Sequence, residues 1–318
     1  MQINLWTTCE IATLYFLKGM NQQDIAKKFN ISRMSVSRIL QQAKDLNIVE
    51  ITVKPPFEFN RELETKIINS CKIKSVYVVI NKTGEDLRSL LGKVGAFYVC
   101  MNLKESDIIG VSVGMTIARL IENIIPRHTS GVKVVQLMGG FGNVKEYEAF
   151  DIVQKLSRKL YADGIYFISA AVVQNKQMKN RMLSNAPVEL WQKCNKAILG
   201  IGPIKESIYT KTESFSSSEI EIIEKLGGVG DIVGYYFNER GEPIHSIVED
   251  RIVAIPIEIF RNIPEKIAIA GGKEKIQAIW GTLRSGLIDV LITDEETALE
   301  MTSFPPTRRG APGQSLVK

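Results

Sequence analysis

Arg33, Ser35, Ser37 and Arg38 stand at a spacing that crowds polar donors onto the start of one helix, directly after Ser32. Serine caps helix N-termini by accepting a backbone N–H, and here the N–H near Ser35 is in reach. Guanidinium groups match the N7 and O6 acceptors of guanine and also neutralise phosphate, so Arg33 and Arg38 suit either role. Lys27, Lys28 and Lys44 are better placed for a phosphate backbone. Another set of residues suits anion binding. Gly114-Met115-Thr116 follows a strand-like run and opens a helical one, where unpaired N–H groups and the helix dipole favour negative charge. Gly139-Gly140 and Gly271-Gly272 also end strand-like runs, where missing side chains let a ligand approach the backbone. The alternative at each place is structural: a solvated helix face, or a tight turn that merely needs glycine.

The elements that must position these residues follow from apolar periodicity. From about Cys9 to Leu46, Ile11, Leu14 and Tyr15, then Ile25, Ala26 and Phe29, then Val36, Ile39 and Leu40 recur at three and four, which predicts three short helices. Within QQDIAKKFNISRMSVSRILQQA, Ala26 is small where two helices cross, and Asn30 falls at the turn where φ is often positive. That is helix-turn-helix spacing, and it places Arg33 to Arg38 where a second helix enters a major groove of duplex DNA. The β-branched run Ile48–Val53 predicts a wing strand, and Lys54-Pro55-Pro56 marks a boundary. The expected division is a winged helix-turn-helix over residues 1–54, a linker and helix over 55–70, an effector and oligomerisation domain over 71–303, and a disordered Pro/Gly-rich tail over 304–318.

Beyond the boundary, seven strand-like runs alternate with amphipathic helices: 75–80, 107–113, 132–138, 164–168, 196–202, 266–270 and 289–293. Such alternation predicts an α/β, Rossmann-like domain with a parallel sheet covered on both faces. A net charge of +5 over 318 residues excludes an overwhelming basic field, so any DNA contact is a local patch. Cys9, Cys71, Cys100 and Cys194 form no paired motif, which argues against a zinc site or disulfide framework. No cofactor or metal is expected. The opening MQINLWTTCE lacks a basic start and a long apolar run, and no segment is apolar enough to span a bilayer, so a cytoplasmic location away from membranes is expected.

The wording of the chain resembles the SorC family of transcriptional regulators over about 290 residues. The helix-turn-helix segment through Val53 carries the family's Q-x-x-I-A, I-S-R, V-S-R-x-L and I-V-x-I pattern. Ile109–Thr116, Val134–Gly140, Gly200-Ile201-Gly202, Gly227–Ile232, Ala270–Ile279 and Leu291–Ala298 match later family motifs in order. The resemblance implies a winged helix-turn-helix and an effector domain similar to sugar-phosphate isomerases and deaminases. It also implies tetramers, a phosphorylated-sugar effector controlling operator binding, and a role in carbohydrate catabolism. It adds Asp231 as an acceptor for sugar hydroxyls and singles out Lys275, rather than Lys273, as the phosphate ligand. Val113 and Met115 depart from the tryptophan and arginine common around Gly114, and Ala171 from a common proline. The rival reading is an enzyme of the isomerase or deaminase class. It needs a positioned acid and base, and neither His128 nor His245 sits in a motif that provides one.

Overall fold

A computed structural model describes residues 4–51, 56–71, 73–142 and 148–303. The chain divides into two compact units, Met1–Pro56 and Phe57–Lys318.

In the first unit, α1 (Leu5–Ala12) runs into a π-helical turn (Thr13–Leu17), followed by α2 (Gln22–Phe29) and α3 (Arg33–Asp45). Ile11, Ile25, Val36, Ile39, Leu40 and Ala43 meet in its core. These are the positions recurring at three and four, so periodicity alone orients the helices. Asn30 ends α2 at φ 53°, ψ 47°, the left-handed conformation that asparagine tolerates. Ser32 caps α3, its Oγ accepting from Ser35 N at 3.0 Å. The wing strand is not seen: Ile48 to Ile51 carry no strand, and Thr52 and Val53 lie outside the described residues. Ile48 and Val49 instead fold back, both N–H groups donating to the Ala43 carbonyl, and pack on the helical core. The tail expected over 304–318 also lies outside the described residues.

The second unit holds α4 (Arg61–Cys71), β1 (Ser75–Val79), α5 (Leu87–Asn102), β2 (Ile108–Val111), α6 (Met115–Asn123), β3 (Lys133–Gln136), α7 (Ala149–Leu160) and β4 (Asp163–Ile165). Next come α8 (Lys176–Leu183), α9 (Val188–Lys193), β5 (Lys196–Gly200), β6 (Gly202–Pro203), α10 (Ile208–Lys211), α11 (Ser217–Lys225), β7 (Gly228–Ile232) and β8 (Tyr235–Asn238). The unit closes with α12 (Ile257–Arg261), β9 (Glu265–Ile269), α13 (Ile276–Ser285), β10 (Val290–Asp294) and α14 (Glu295–Ser303). The seven expected strands form one sheet in the order β1-β10-β9-β5-β2-β3-β4, every pair parallel.

Burial on both faces makes the central strands β5, β9 and β10 near-continuous apolar runs, whereas the edge strand β4 is partly exposed. Ala197 and Leu199 of β5 face one core cluster with Leu291, Ala268 and Val135, whereas Ile198 faces the other with Ile109, Ile267 and Ile292. Helices α5, α6 and α7 cover that second face through Leu91, Ile117, Leu120 and Leu156. A three-stranded antiparallel sheet, β6-β7-β8, is an addition the periodicity did not predict. Its strands carry glycine at Gly202, Gly228 and Gly230, which hides an alternating pattern.

Candidate functional site

Strand order decides where a ligand can enter. After β2 the chain turns towards β3 on one side of the sheet, whereas after β5 it reaches β9 on the other. The carboxyl ends of these neighbours therefore diverge, and open α/β sheets bind ligands in that crevice. A cleft of about 850 Å³, open to solvent, lies there, with Ser112 to Ile117 after β2 on one wall and Gly200 to Pro203 after β5 on the other. The remaining wall comes from Ser207 to Tyr209, Asp231 and Val233; Arg88, Lys211 and Lys275 supply positive charge, and Glu206 and Glu274 add carboxylates.

Gly114 precedes α6 at φ 143°, a conformation open to glycine, and no side chain caps the helix. The first bond inside α6 runs from Ala118 N to Gly114 O, so the N–H groups of Met115, Thr116 and Ile117 precede it at the cleft wall. Arg88, in the first turn of α5, and Lys211, at the end of α10, are exposed at the rim, and Lys275 is half-buried. None of the three has an ion-pair partner within 4.0 Å among the described residues. Burial lowers the Lys275 pKa below the usual lysine range; the Arg88 and Lys211 charges push the same way, while Glu274 and Asp231 oppose them. An anion bound among these groups would remove that repulsion.

Asp231, on β7, is 8% exposed and accepts a 3.0 Å bond from Gly234 N through Oδ2. Burial raises its carboxyl pKa to about 7, against the opposing pull of the Gly234 bond and the Lys275 charge. Beside it, the Tyr209 ring is held by stacking on Phe215 at 4.9 Å and by an edge contact with Phe141. The buried Tyr209 and Tyr236 hydroxyls have no hydrogen-bond partner among the described residues. Such groups cost about 1–3 kcal/mol each when left unpaired, which favours a ligand or water that completes them.

Of the residues expected from sequence, Gly114, Met115, Thr116, Asp231 and Lys275 line this one cleft. Gly139, Gly140, Gly271 and Gly272 do not, and each has a structural reason to be small. Gly139 N and Gly140 N donate to Val253 O and Ser169 O, and a Cβ on Gly139 would strike the Ala170 carbonyl. Gly140 lines a separate hollow, and a Cβ there would collide with the Glu148 carboxylate, which accepts from Phe141 N and Gly142 N. Gly271 abuts Asp294, which caps α14 by accepting from Thr297 N, and Gly272 N donates to Thr297 Oγ1 at 2.8 Å. The Gly272 N–H is thus spent inside the fold, while the Lys275 side chain reaches the cleft. Lys273 points elsewhere, bonded to Glu296 at 2.8 Å and Glu300 at 3.1 Å.

Arg88, Ser207, Tyr209 and Lys211 were missed in the sequence reading. Ser207 caps and Lys211 ends a four-residue helix too short to show a period, and Arg88 looks like any solvated helix start. The G-I-G-P turn after β5 was the available signal, since it brings the following segment to the sheet's carboxyl edge.

On the first unit, Arg33, Ser37 and Arg38 are exposed on α3, and Lys27 and Lys28 are exposed in the last turn of α2. The Ser32 and Ser35 hydroxyls bond each other at 2.9 Å, so they shape the helix start. Lys44 leans over the Phe16 ring at 5.8 Å.

Residues 55–303 match the family described as "Putative sugar-binding domain", and residues 10–45 match sigma-70 region 4. The deoxyribonucleoside regulator of Bacillus subtilis (strain 168) is 30% identical over 297 residues, covering 91% of this chain and 95% of that protein. The chain belongs to the SorC family of transcriptional regulators. The transcriptional regulator LsrR of Escherichia coli (strain K12) is 26% identical over 298 residues, covering 91% of this chain and 92% of that one. The fold matches the full-length sorbitol operon regulator SorC from Klebsiella pneumoniae with a TM-score of 0.70 at 24% identity, covering 93% of this chain and 98% of that chain. The SorC-family chain has no helix among its described residues long and apolar enough to cross a membrane.

Proposed function

We propose that this regulator binds double-stranded operator DNA through α3 and that a phosphorylated sugar in the sheet-edge cleft controls this binding. The observation that carries the effector class is the convergence of Arg88, Lys211 and Lys275, without ion-pair partners within 4.0 Å among the described residues, on a cleft walled by the uncapped start of α6. A phosphate oxyanion answers both features, because it accepts backbone N–H bonds and neutralises clustered cations. The buried Asp231 and Tyr209 would receive sugar hydroxyls at the other end. In this reading Gly114, Met115, Thr116, Asp231, Lys275, Arg88 and Lys211 bind effector, and Lys27, Lys28, Arg33, Ser37, Arg38 and Lys44 bind DNA. The protein acts in the cytoplasm as a homotetramer without catalysis, its paired helix-turn-helix units reading repeated half-sites.

The test is thermal unfolding of the full chain with phosphorylated sugars and their unphosphorylated parents, pentoses first because of the deoxyribonucleoside regulator's name. A specific ligand at 100 times its Kd stabilises by about 2.7 kcal/mol. The expected result is stabilisation by the phosphorylated member alone, together with an altered affinity for operator DNA in fluorescence anisotropy. Equal stabilisation by both members would remove the phosphate assignment. Light scattering that shows monomers at full operator affinity would remove the oligomer. A second reading rests on the displaced pKa values of Asp231 and Lys275, since opposed carboxyl and amine groups in a cleft also serve acid–base catalysis. Turnover of a sugar phosphate would establish it.

A further inference from the structure

Helix α3 buries Val36, Ile39, Leu40 and Ala43 and leaves Met34, Ser37, Arg38 and Gln41 on the opposite side. These four recur at three and four, so they form one outward stripe. Three of them are polar. The fourth is Met34, a large apolar side chain that is 77% exposed and lies within the first turn of the helix. Met34 is absent from the apolar residues packed on the core of its unit. Arg33 and Arg38 flank it, and Lys27 and Lys28 are exposed at the end of the preceding helix. An apolar chain bordered by cations fits a polyanion with an apolar spot recessed between its charges. Duplex DNA has that form: phosphates line the major groove, and the thymine C5-methyl is the one apolar group on its floor.

We propose that Met34 is a specificity-determining residue that packs against a thymine methyl in the major groove, one per half-site. Arginine at 33 or 38 supplies the phosphate and guanine contacts, and Met34 adds discrimination at a position where no hydrogen bond is made. The side chain is unbranched and polarizable, which lets it follow the methyl across small shifts of helix register. This assignment rests on α3 being the DNA-reading helix and is independent of the effector.

The test begins with an operator selected from random duplexes by the full-length protein. Each thymine of the selected site is then replaced by uracil, which removes the methyl and keeps every hydrogen-bonding edge. Affinities are measured for wild type, Met34→Ala and Met34→Leu. At one thymine per half-site the wild type should lose about fourfold on methyl removal, the ratio that corresponds to about 0.8 kcal/mol for one buried carbon group. Met34→Ala should bind the thymine operator more weakly and lose less than twofold on the same replacement, while Met34→Leu should restore most of the discrimination. Because Met34 is exposed, Tm should be the same in all three proteins, which excludes misfolding as the cause. Equal uracil losses in wild type and Met34→Ala at every position would overturn the proposal, as would a Met34→Ala protein with unchanged affinity. If the wild type shows no preference for any duplex, the reading of α3 fails instead, and that outcome is distinct from a preference that ignores the methyl.

Discussion

Replacing Asp231 with asparagine isolates the cost of holding a carboxylate in the cleft wall. The carboxyl of Asp231 is buried, accepts one bond from Gly234 N, and has its pKa raised by burial to about 7 from the 3.8 of an unperturbed aspartate. Between those two values the folded chain holds a proton that the unfolded chain has released, so stability falls as pH rises through this window. The contribution is fully present below pH 3.8 and is lost once the pH has passed about 7. At 1.36 kcal/mol per pH unit, the gap between about 7 and 3.8 amounts to about 4 kcal/mol. Asparagine has the shape of the protonated acid and does not ionise, so Asp231→Asn should match the wild type near pH 4 and exceed it at pH 8 by an amount approaching that figure. Urea denaturation of both proteins from pH 4 to 8.5, plotted as the difference in unfolding free energy, measures it. Parallel curves, or a variant less stable than wild type at pH 8, would refute the reasoning and show a carboxylate well paired inside the fold.

Lys275→Ala should weaken a phosphorylated effector by about 1.5–3 kcal/mol, the range for a charged hydrogen bond, and leave the unphosphorylated sugar unchanged in titration calorimetry. Lys273→Ala, whose ammonium is engaged by Glu296 and Glu300, should alter neither titration. Arg38→Ala should cost about 1–3 kcal/mol on operator DNA and relax one base preference, whereas Lys28→Ala should weaken operator and random DNA alike and reduce the salt slope by about one. Gly139→Ala should destabilise the effector unit by about 1–3 kcal/mol in chemical denaturation, because its methyl would displace the Ala170 backbone.

The parallel sheet was legible because its central strands are buried on both faces and so read as apolar runs, as KIAIA and DVLIT do. Asn30 and Ser32 were legible because each does a local job that few residue types can do. The cleft was half legible. Gly114 to Thr116 announce themselves as a turn entering a helix, but Arg88 and Lys211 reach the same cleft from segments 123 positions apart, by 211 less 88, and only the fold brings them together. Gly139 and Gly271 misled for the converse reason. Sequence shows that a Cβ is missing and cannot show whether a ligand or the chain itself occupies the space; here Ala170 and Asp294 do. The antiparallel sheet escaped because Val233 and Gly234 turn it with positive φ at both positions, and valine is not a residue that signals such a turn.

The glycines of that antiparallel sheet have a consequence for genetics. Gly230 lies so close to α13 that a Cβ would collide with Ala278 and would stand 2.8 Å from the Gly202 carbonyl, and Gly281 on the same helix leaves room for Phe237 at 2.7 Å. Lys275 sits at the head of α13 and Asp231 beside Gly230, so pushing the helix and sheet apart would spread the two ends of the ligand cleft. A screen for alleles that still bind the operator but no longer respond to the effector should therefore recover substitutions at Gly230 and Gly281 alongside those in the cleft, although neither glycine lines it.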